Sequence, residues 1–176
     1  NVLVEEALVA KNPTLFRYAV LTWDASKYTT TQNEALAAQR VTYFENESIV
    51  PLTEDEIIDV LYSYVVENIT YDYDKIETLS YDYIPDIDQV LEDGTGICYD
   101  YSVLLASMLR SQDIPTKLIK GYTVNTPVYH AWNEVYSSSK EEWMVVDTTF
   151  DAYYYQNKIS FEFHKDADDY DASKAF

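Results

Sequence analysis

Cysteine occurs once in 176 residues, glycine three times, proline five times and histidine twice. A lone thiol excludes an intramolecular disulfide framework and any multi-thiolate metal cage. Basic residues are scarce too: 12 Lys plus Arg stand against 31 Asp plus Glu, for a net charge of −19. A field of that sign repels phosphate backbones and anionic lipid headgroups, so no nucleic-acid partner is expected. No run approaches the ~18 consecutive apolar residues of a bilayer span, so no membrane insertion is expected either. Internal repeats and low-complexity linkers are missing, and with so little glycine and proline each instance carries weight. The sequence opens on Asn1 with no basic-then-apolar leader behind it. Together with the charge and the scarcity of cysteine, this points to an extracellular or cell-surface protein, with a cytoplasmic origin as the alternative.

Apolar surface is plentiful. Apolar residues make up 47% of the chain, with 18 Tyr, 6 Phe and 3 Trp. That is enough ring surface for a compact core and too much for an acidic disordered tract. The pattern predicts a short helix over 2–11, a strand over 15–23 and a loop at 29–33, with 34–50 open between helix and strand. Thr53-Glu54-Asp55-Glu56 fits a capping box, and Ile57, Val60, Leu61, Tyr64 and Val65 follow at helical spacing up to about Asn68. The Tyr- and Asp-rich stretch 71–88 reads as irregular, and a short helix is expected over 86–92. Another helix follows from Cys98 to Ser111, then strands over 117–123, 129–136 and 143–149, with a Ser137-Ser138-Ser139 turn between the last two. Helices first and an antiparallel sheet afterwards make an α+β fold. Residues 1–52 are expected to be an N-terminal extension packed on a core of residues 53–176 that ends in a C-terminal tail.

Three residues stand out for chemistry. Cys98 follows two glycines and opens an amphipathic helix, where unpaired backbone amides carry partial positive charge and favour a thiolate. Free cysteine titrates near ~8.5, and helix N-termini commonly lower that value. By itself, a single cysteine is more often a small buried apolar residue. His130 opens the strand His130-Ala131-Trp132-Asn133-Glu134-Val135, and alternation puts His130, Trp132 and Glu134 on one face, suited to lining a cleft. Asp147 ends Trp143-Met144-Val145-Val146, where a carboxylate is costly without a partner. It could serve only to cap the turn at Thr148-Thr149, or it could fix the tautomer of an imidazole on the neighbouring strand. A nucleophile at a helix start, with base and orienting acid on consecutive strands, satisfies the requirements of activated-nucleophile catalysis.

The segments Gly94-Thr95-Gly96-Ile97-Cys98-Tyr99-Asp100-Tyr101, Met108-Leu109-Arg110, Ile114-Pro115, Gly121-Tyr122, His130 to Val135, Trp143 and Val146 to Phe150 together resemble the transglutaminase-like superfamily, and its bacterial members above all. The likeness spans residues 55–151 and implies a papain-like core. It implies that Cys98 is the acylated nucleophile, His130 the general base and acid, and Asp147 the residue orienting His130. The family includes cross-linking enzymes, peptidases and amidases that work through a thioester, and members without activity. Its oxyanion is held by the Cys amide and a side chain upstream of it, which leaves Tyr81 and Tyr83 as candidates here. Trp132 and Tyr99 are the expected cleft residues.

The remaining constellations are weaker. Asp72, Asp74, Asp82, Asp86, Asp88 and Asp93 lack the spacing, central Gly and terminal Glu of a calcium loop and read as solvated surface. A Cys98/His130/Asp147 metal site lacks a fourth ligand, so neither metal nor cofactor is expected. Asn46-Glu47-Ser48 and Asn68-Ile69-Thr70 match glycosylation acceptors, a pattern common by chance. Tyr153, Tyr154 and Tyr155 are expected to pack, with a sugar- or peptide-binding wall as the sharper alternative. The leading function is thiol-dependent acyl transfer on peptide or protein amides. Its rival is a non-catalytic cell-surface binding module on the same fold.

Overall fold

The structure, a computed structural model, describes residues 52–80 and 82–176. The elements expected over 2–50 and the acceptor at Asn46 lie outside the described residues, as does Tyr81.

Helix α1 (Glu54–Asn68) begins where the sequence predicted, with Thr53 and Glu56 forming the reciprocal capping box. Its buried face, with Ile58, Leu61, Tyr62 and Val65, packs in one apolar cluster with Tyr101, Leu104, Leu105 and Leu109 of the cysteine-bearing helix. After α1, strand β1 (Thr70–Tyr71) pairs in parallel with β2 (Thr95–Gly96). Between them lie two short helices, α2 (Tyr73–Thr78) and α3 (Ile87–Asp93). The first of these was not expected. Its start is set by Asp72, which caps the Lys75 amide, and Asp86 does the same for α3. Part of the acidic run thus consists of helix caps, since a short carboxylate satisfies the orphan amides of a first turn. Gly94 ends α3 at φ 66°, a left-handed conformation that suits glycine at a helix C-terminus.

Helix α4 (Cys98–Arg110) leads to the main sheet, formed by β3 (Thr116–Thr123), β4 (Thr126–Ser137), β5 (Glu142–Val146) and β6 (Tyr170–Ala175), in spatial order β5-β4-β3-β6. Every pairing is antiparallel. Val135, Met144 and Val146 face the helical cluster. Ile119, Trp132 and Val145 make a smaller cluster, completed by Tyr170. The fold is therefore α+β, with helices laid on an antiparallel sheet.

Three expectations need correcting. The strand drawn over 143–149 stops at Val146, because Asp147 caps a new helix, α5 (Thr148–Gln156), whose β-branched Thr148-Thr149 start had read as strand. The C-terminal residues expected as a tail form a one-turn 3-10 helix (Ala167–Asp169) and β6, which closes one edge of the sheet. Gly121 makes that closure possible, since a Cβ there would meet the Asp171 carbonyl oxygen at 2.0 Å and the Trp132 ring at 2.8 Å. Finally, Tyr153 and Tyr155 lie exposed on α5 instead of packing inside.

Candidate active site

Cys98 is the first residue of α4 and stays partly exposed. As a first-turn residue it has no intrahelical acceptor for its N–H, which leaves that donor available to a ligand. The helix start is secured from within. Asp100, fully buried, accepts the Ile97 N–H at 2.8 Å and the Tyr83 hydroxyl at 2.5 Å, and it pairs with Lys75 at 2.8 Å. The ammonium of Lys75 offsets the charge of the buried Asp100 carboxylate. Partial burial works against that ammonium, but hydrogen bonds to Asp100 and Tyr83 more than compensate and hold Lys75 above its ordinary pKa.

His130 lies on β4 and is 5% exposed. Its Nε2 meets Asp147 Oδ2 at 2.8 Å, so Nδ1 is the nitrogen left to face Cys98. Burial alone would lower its pKa. Hydrogen bonding and charge from Asp147, and then from Cys98, more than reverse this and raise it to about 10. The site therefore favours an imidazolium between a carboxylate and the sulfur. Phe150 covers one side of the ring at 4.9 Å between centroids, and Trp132 stacks at 6.3 Å. Asn133, also buried, donates to the Ser102 carbonyl of α4 and to the Lys117 carbonyl of β3, tying the histidine strand to the cysteine helix.

Asp147 has no solvent exposure, and all of its acceptor capacity is used. Oδ1 takes the Thr149 and Phe150 amides, while Oδ2 takes His130 and the Tyr170 hydroxyl. Asp147 thus caps α5 and at the same time meets the imidazole of the neighbouring strand. One turn further along α5, fully buried Asp151 accepts from Tyr62 at 2.7 Å and pairs with Lys165 at 2.5 Å. Burial pushes Asp151 up to about 6, although Lys165 and Tyr62 pull it back.

The structure brings together Cys98, His130 and Asp147 as expected from the sequence. Tyr99 sits beside Cys98 with the Lys120 ammonium over its ring. Trp132 does not line an open cleft. It is 1% exposed, belongs to the core, and its buried indole N–H finds no acceptor among the described residues. Alternation had placed it correctly beside His130, but the Tyr170 ring packs against it and turns that face into core. Tyr83 gives its one proton to Asp100, so its hydroxyl is already committed inside the fold. Missed by the sequence reading were Tyr170, Asn133 and the exposed pair Tyr122 and Tyr129, whose rings meet edge to face at 5.4 Å just before His130. Among the described residues no group of three or more His, Cys, Asp or Glu is arranged to hold a metal ion.

A family model described as the transglutaminase-like superfamily matches residues 38–148. No curated protein matches the chain at a significant level. Among solved structures, Legionella pneumophila LapG aligns over 90% of this chain and 83% of its own, with 15% identity and a TM-score of 0.56. A structure from Cytophaga hutchinsonii aligns over 63% of this chain with 21% identity and a TM-score of 0.45. The periplasmic domain of Pseudomonas aeruginosa TgpA aligns over 80% with 21% identity and a TM-score of 0.44. The chain spans 36% of the Cytophaga structure and 50% of the TgpA domain. At such identity the LapG alignment shows a shared fold.

Proposed function

The chain belongs to the transglutaminase-like superfamily, and from that premise we propose that it is a cysteine-dependent acyl-transfer enzyme acting on peptide or protein amides. The observation that carries this reading is the buried 2.8 Å contact between His130 and Asp147, with Cys98 at a helix start on the other side of the imidazole. Buried carboxylates and imidazoles are costly to keep, and their alignment with a partly exposed thiol is the arrangement that nucleophilic catalysis requires.

In this reading the Cys98 sulfur attacks the amide carbonyl as a thiolate, with His130 holding the displaced proton. The tetrahedral oxyanion is held by the Cys98 N–H, helped by the positive end of α4. Collapse breaks the C–N bond, and His130 gives its proton to the departing amine. A thioester on Cys98 remains. Water or a lysine amine then attacks it, His130 takes the incoming proton, and the thiolate leaves. The same residues serve hydrolysis and cross-linking, because only the acceptor differs. Asp147 stabilises the charged imidazole in both halves of the cycle.

The net charge of −19 supports a preference for basic or neutral substrates, weak at physiological salt. The same charge, with a single cysteine, supports a place outside the bacterial cytoplasm. Among the described residues no helix is long and apolar enough to cross a membrane.

The test is intact-mass detection of an acyl adduct after incubation with a mixed peptide library. An adduct on Cys98 that disappears in Cys98→Ala is expected, with turnover abolished and stability changed by only ~1–2 kcal/mol. Turnover that survives in Cys98→Ala would exclude the thiol as nucleophile. A folded parent protein that forms no adduct and turns over no peptide would favour the binding-module reading.

A further inference from the structure

Strand β6 brings Tyr170 to the far side of the candidate triad. Its hydroxyl donates to Asp147 Oδ2 at 3.1 Å, the same oxygen that receives His130 Nε2. Its ring packs on Trp132 at 5.1 Å between centroids, and Trp132 in turn stacks on His130. Tyr170 lies 22 residues beyond the end of the family match at residue 148, so the match does not account for this contact.

We infer that Tyr170 is a positioning residue for the acyl-transfer site, sharing Asp147 Oδ2 with His130 and thereby moderating how tightly the carboxylate holds the imidazolium. The inference rests on the triad reading given above. Orientation alone does not explain the contact, because two backbone amides at Oδ1 already fix the Asp147 carboxylate as the cap of α5. What a second donor at Oδ2 adds is competition for electron density on the oxygen that faces the imidazole. A general acid must also release its proton, and an imidazolium gripped too tightly by a buried carboxylate does this poorly.

The groups facing His130 are Asp147, Cys98, Phe150 and Trp132. Those facing Tyr170 are Asp147, Asp151, Asn125 and Trp132. Burial and the Asp147 charge push the Tyr170 phenol upward, so it remains a donor throughout the working range.

Tyr170→Phe in the full chain removes the donor and keeps the ring. Only two histidines are present, so labelled imidazole signals report His130 once His164 is assigned by His164→Gln. The variant is expected to raise the His130 midpoint by about half a unit and to lower turnover at neutral pH by about twofold to threefold, with KM unchanged. Alkylation of Cys98 should persist, because the ion pair is held at least as firmly. In an Asp147→Asn background the same change should leave the His130 titration where it was.

An unmoved His130 midpoint in Tyr170→Phe would overturn the inference. So would a fall in melting temperature with alkylation and turnover lost together, the pattern of a packing defect. The titration and the alkylation need no substrate. Failure of the acyl-transfer reading, seen as turnover in Cys98→Ala or no acyl adduct on Cys98, is therefore separable from failure of the Tyr170 inference.

Discussion

Of the three aspartates without solvent exposure, two also accept backbone amides at a helix start, Asp100 in the first turn of α4 and Asp147 at the cap of α5, and each faces a cation from another element. Asp100 faces Lys75, and Asp147 faces His130. Both accept backbone amides, both take a tyrosine hydroxyl, and both hold together chain segments distant in sequence. The difference lies in the cation. A lysine keeps its charge throughout the physiological range, so the Asp100 pair is a fixed strut. A histidine can gain and lose its proton within a catalytic cycle, so the Asp147 pair can take part in chemistry. The same local device, a carboxylate serving a helix N-terminus, becomes structural or chemical according to the residue placed opposite it.

Exchanging the carboxylates for amides sharpens that contrast. Asp147→Asn should lower turnover by on the order of 10²-fold or more, because an amide cannot stabilise the imidazolium, though it can still cap α5. The loss should be less complete than in His130→Ala, where no base remains. Asp100→Asn should instead act on stability. It loosens Lys75, Tyr83 and the Ile97 amide at a cost of ~1–3 kcal/mol, with the ion-pair share kept small because Lys75 is 26% exposed. Its turnover per folded molecule and its pH–rate profile should stay close to the parent's. Steady-state kinetics and urea melts on the two variants decide this. A shifted pH profile in Asp100→Asn, or an unshifted one in Asp147→Asn, would break the division of roles.

A smaller effect follows from titration. His130 titrates near 10 in the folded protein, against about 6.5 when unfolded. A raised pKa means that the folded state binds the proton more tightly. Its stabilisation is therefore complete below about pH 6.5 and is lost as pH rises through 10. Melts from pH 6 to 10 should show the gap between parent and Asp147→Asn narrowing steadily over that window. The gap between parent and Asp100→Asn should stay level until lysine itself begins to titrate. Parallel gaps would mean that His130 is not held charged by Asp147.

Much of the α4 region and of the placement of Cys98 and His130 was legible in the sequence because it rests on local rules. Thr53 and Glu56 announce a capping box whose partners are three residues apart. Gly96, Cys98 and the apolar positions behind them announce a helix start, and alternation alone orders His130 to Val135. The rest depends on contacts that no local rule carries. Asp147 read as a strand end because Thr148 and Thr149 are β-branched, yet its carboxylate starts a helix. Trp132 shares a face with His130, as alternation requires, but packing by the Tyr170 ring turns that face into core. Tyr170 comes from the far end of the chain, and only sheet closure brings its hydroxyl to Asp147. Asp72 and Asp86, read as solvated surface, turn out to cap two short helices.

The most direct test of the central claim, that Cys98 and His130 act as a pair, is the rate of Cys98 alkylation by iodoacetamide at pH 6 and pH 9, in the parent and in His130→Ala. The pairing predicts that the parent still reacts readily at pH 6, and that His130→Ala loses more than about tenfold there while reacting almost normally at pH 9. Two proteins whose rates climb together from pH 6 to pH 9, with no deficit in the variant at the lower value, would show that the thiol is not activated by His130.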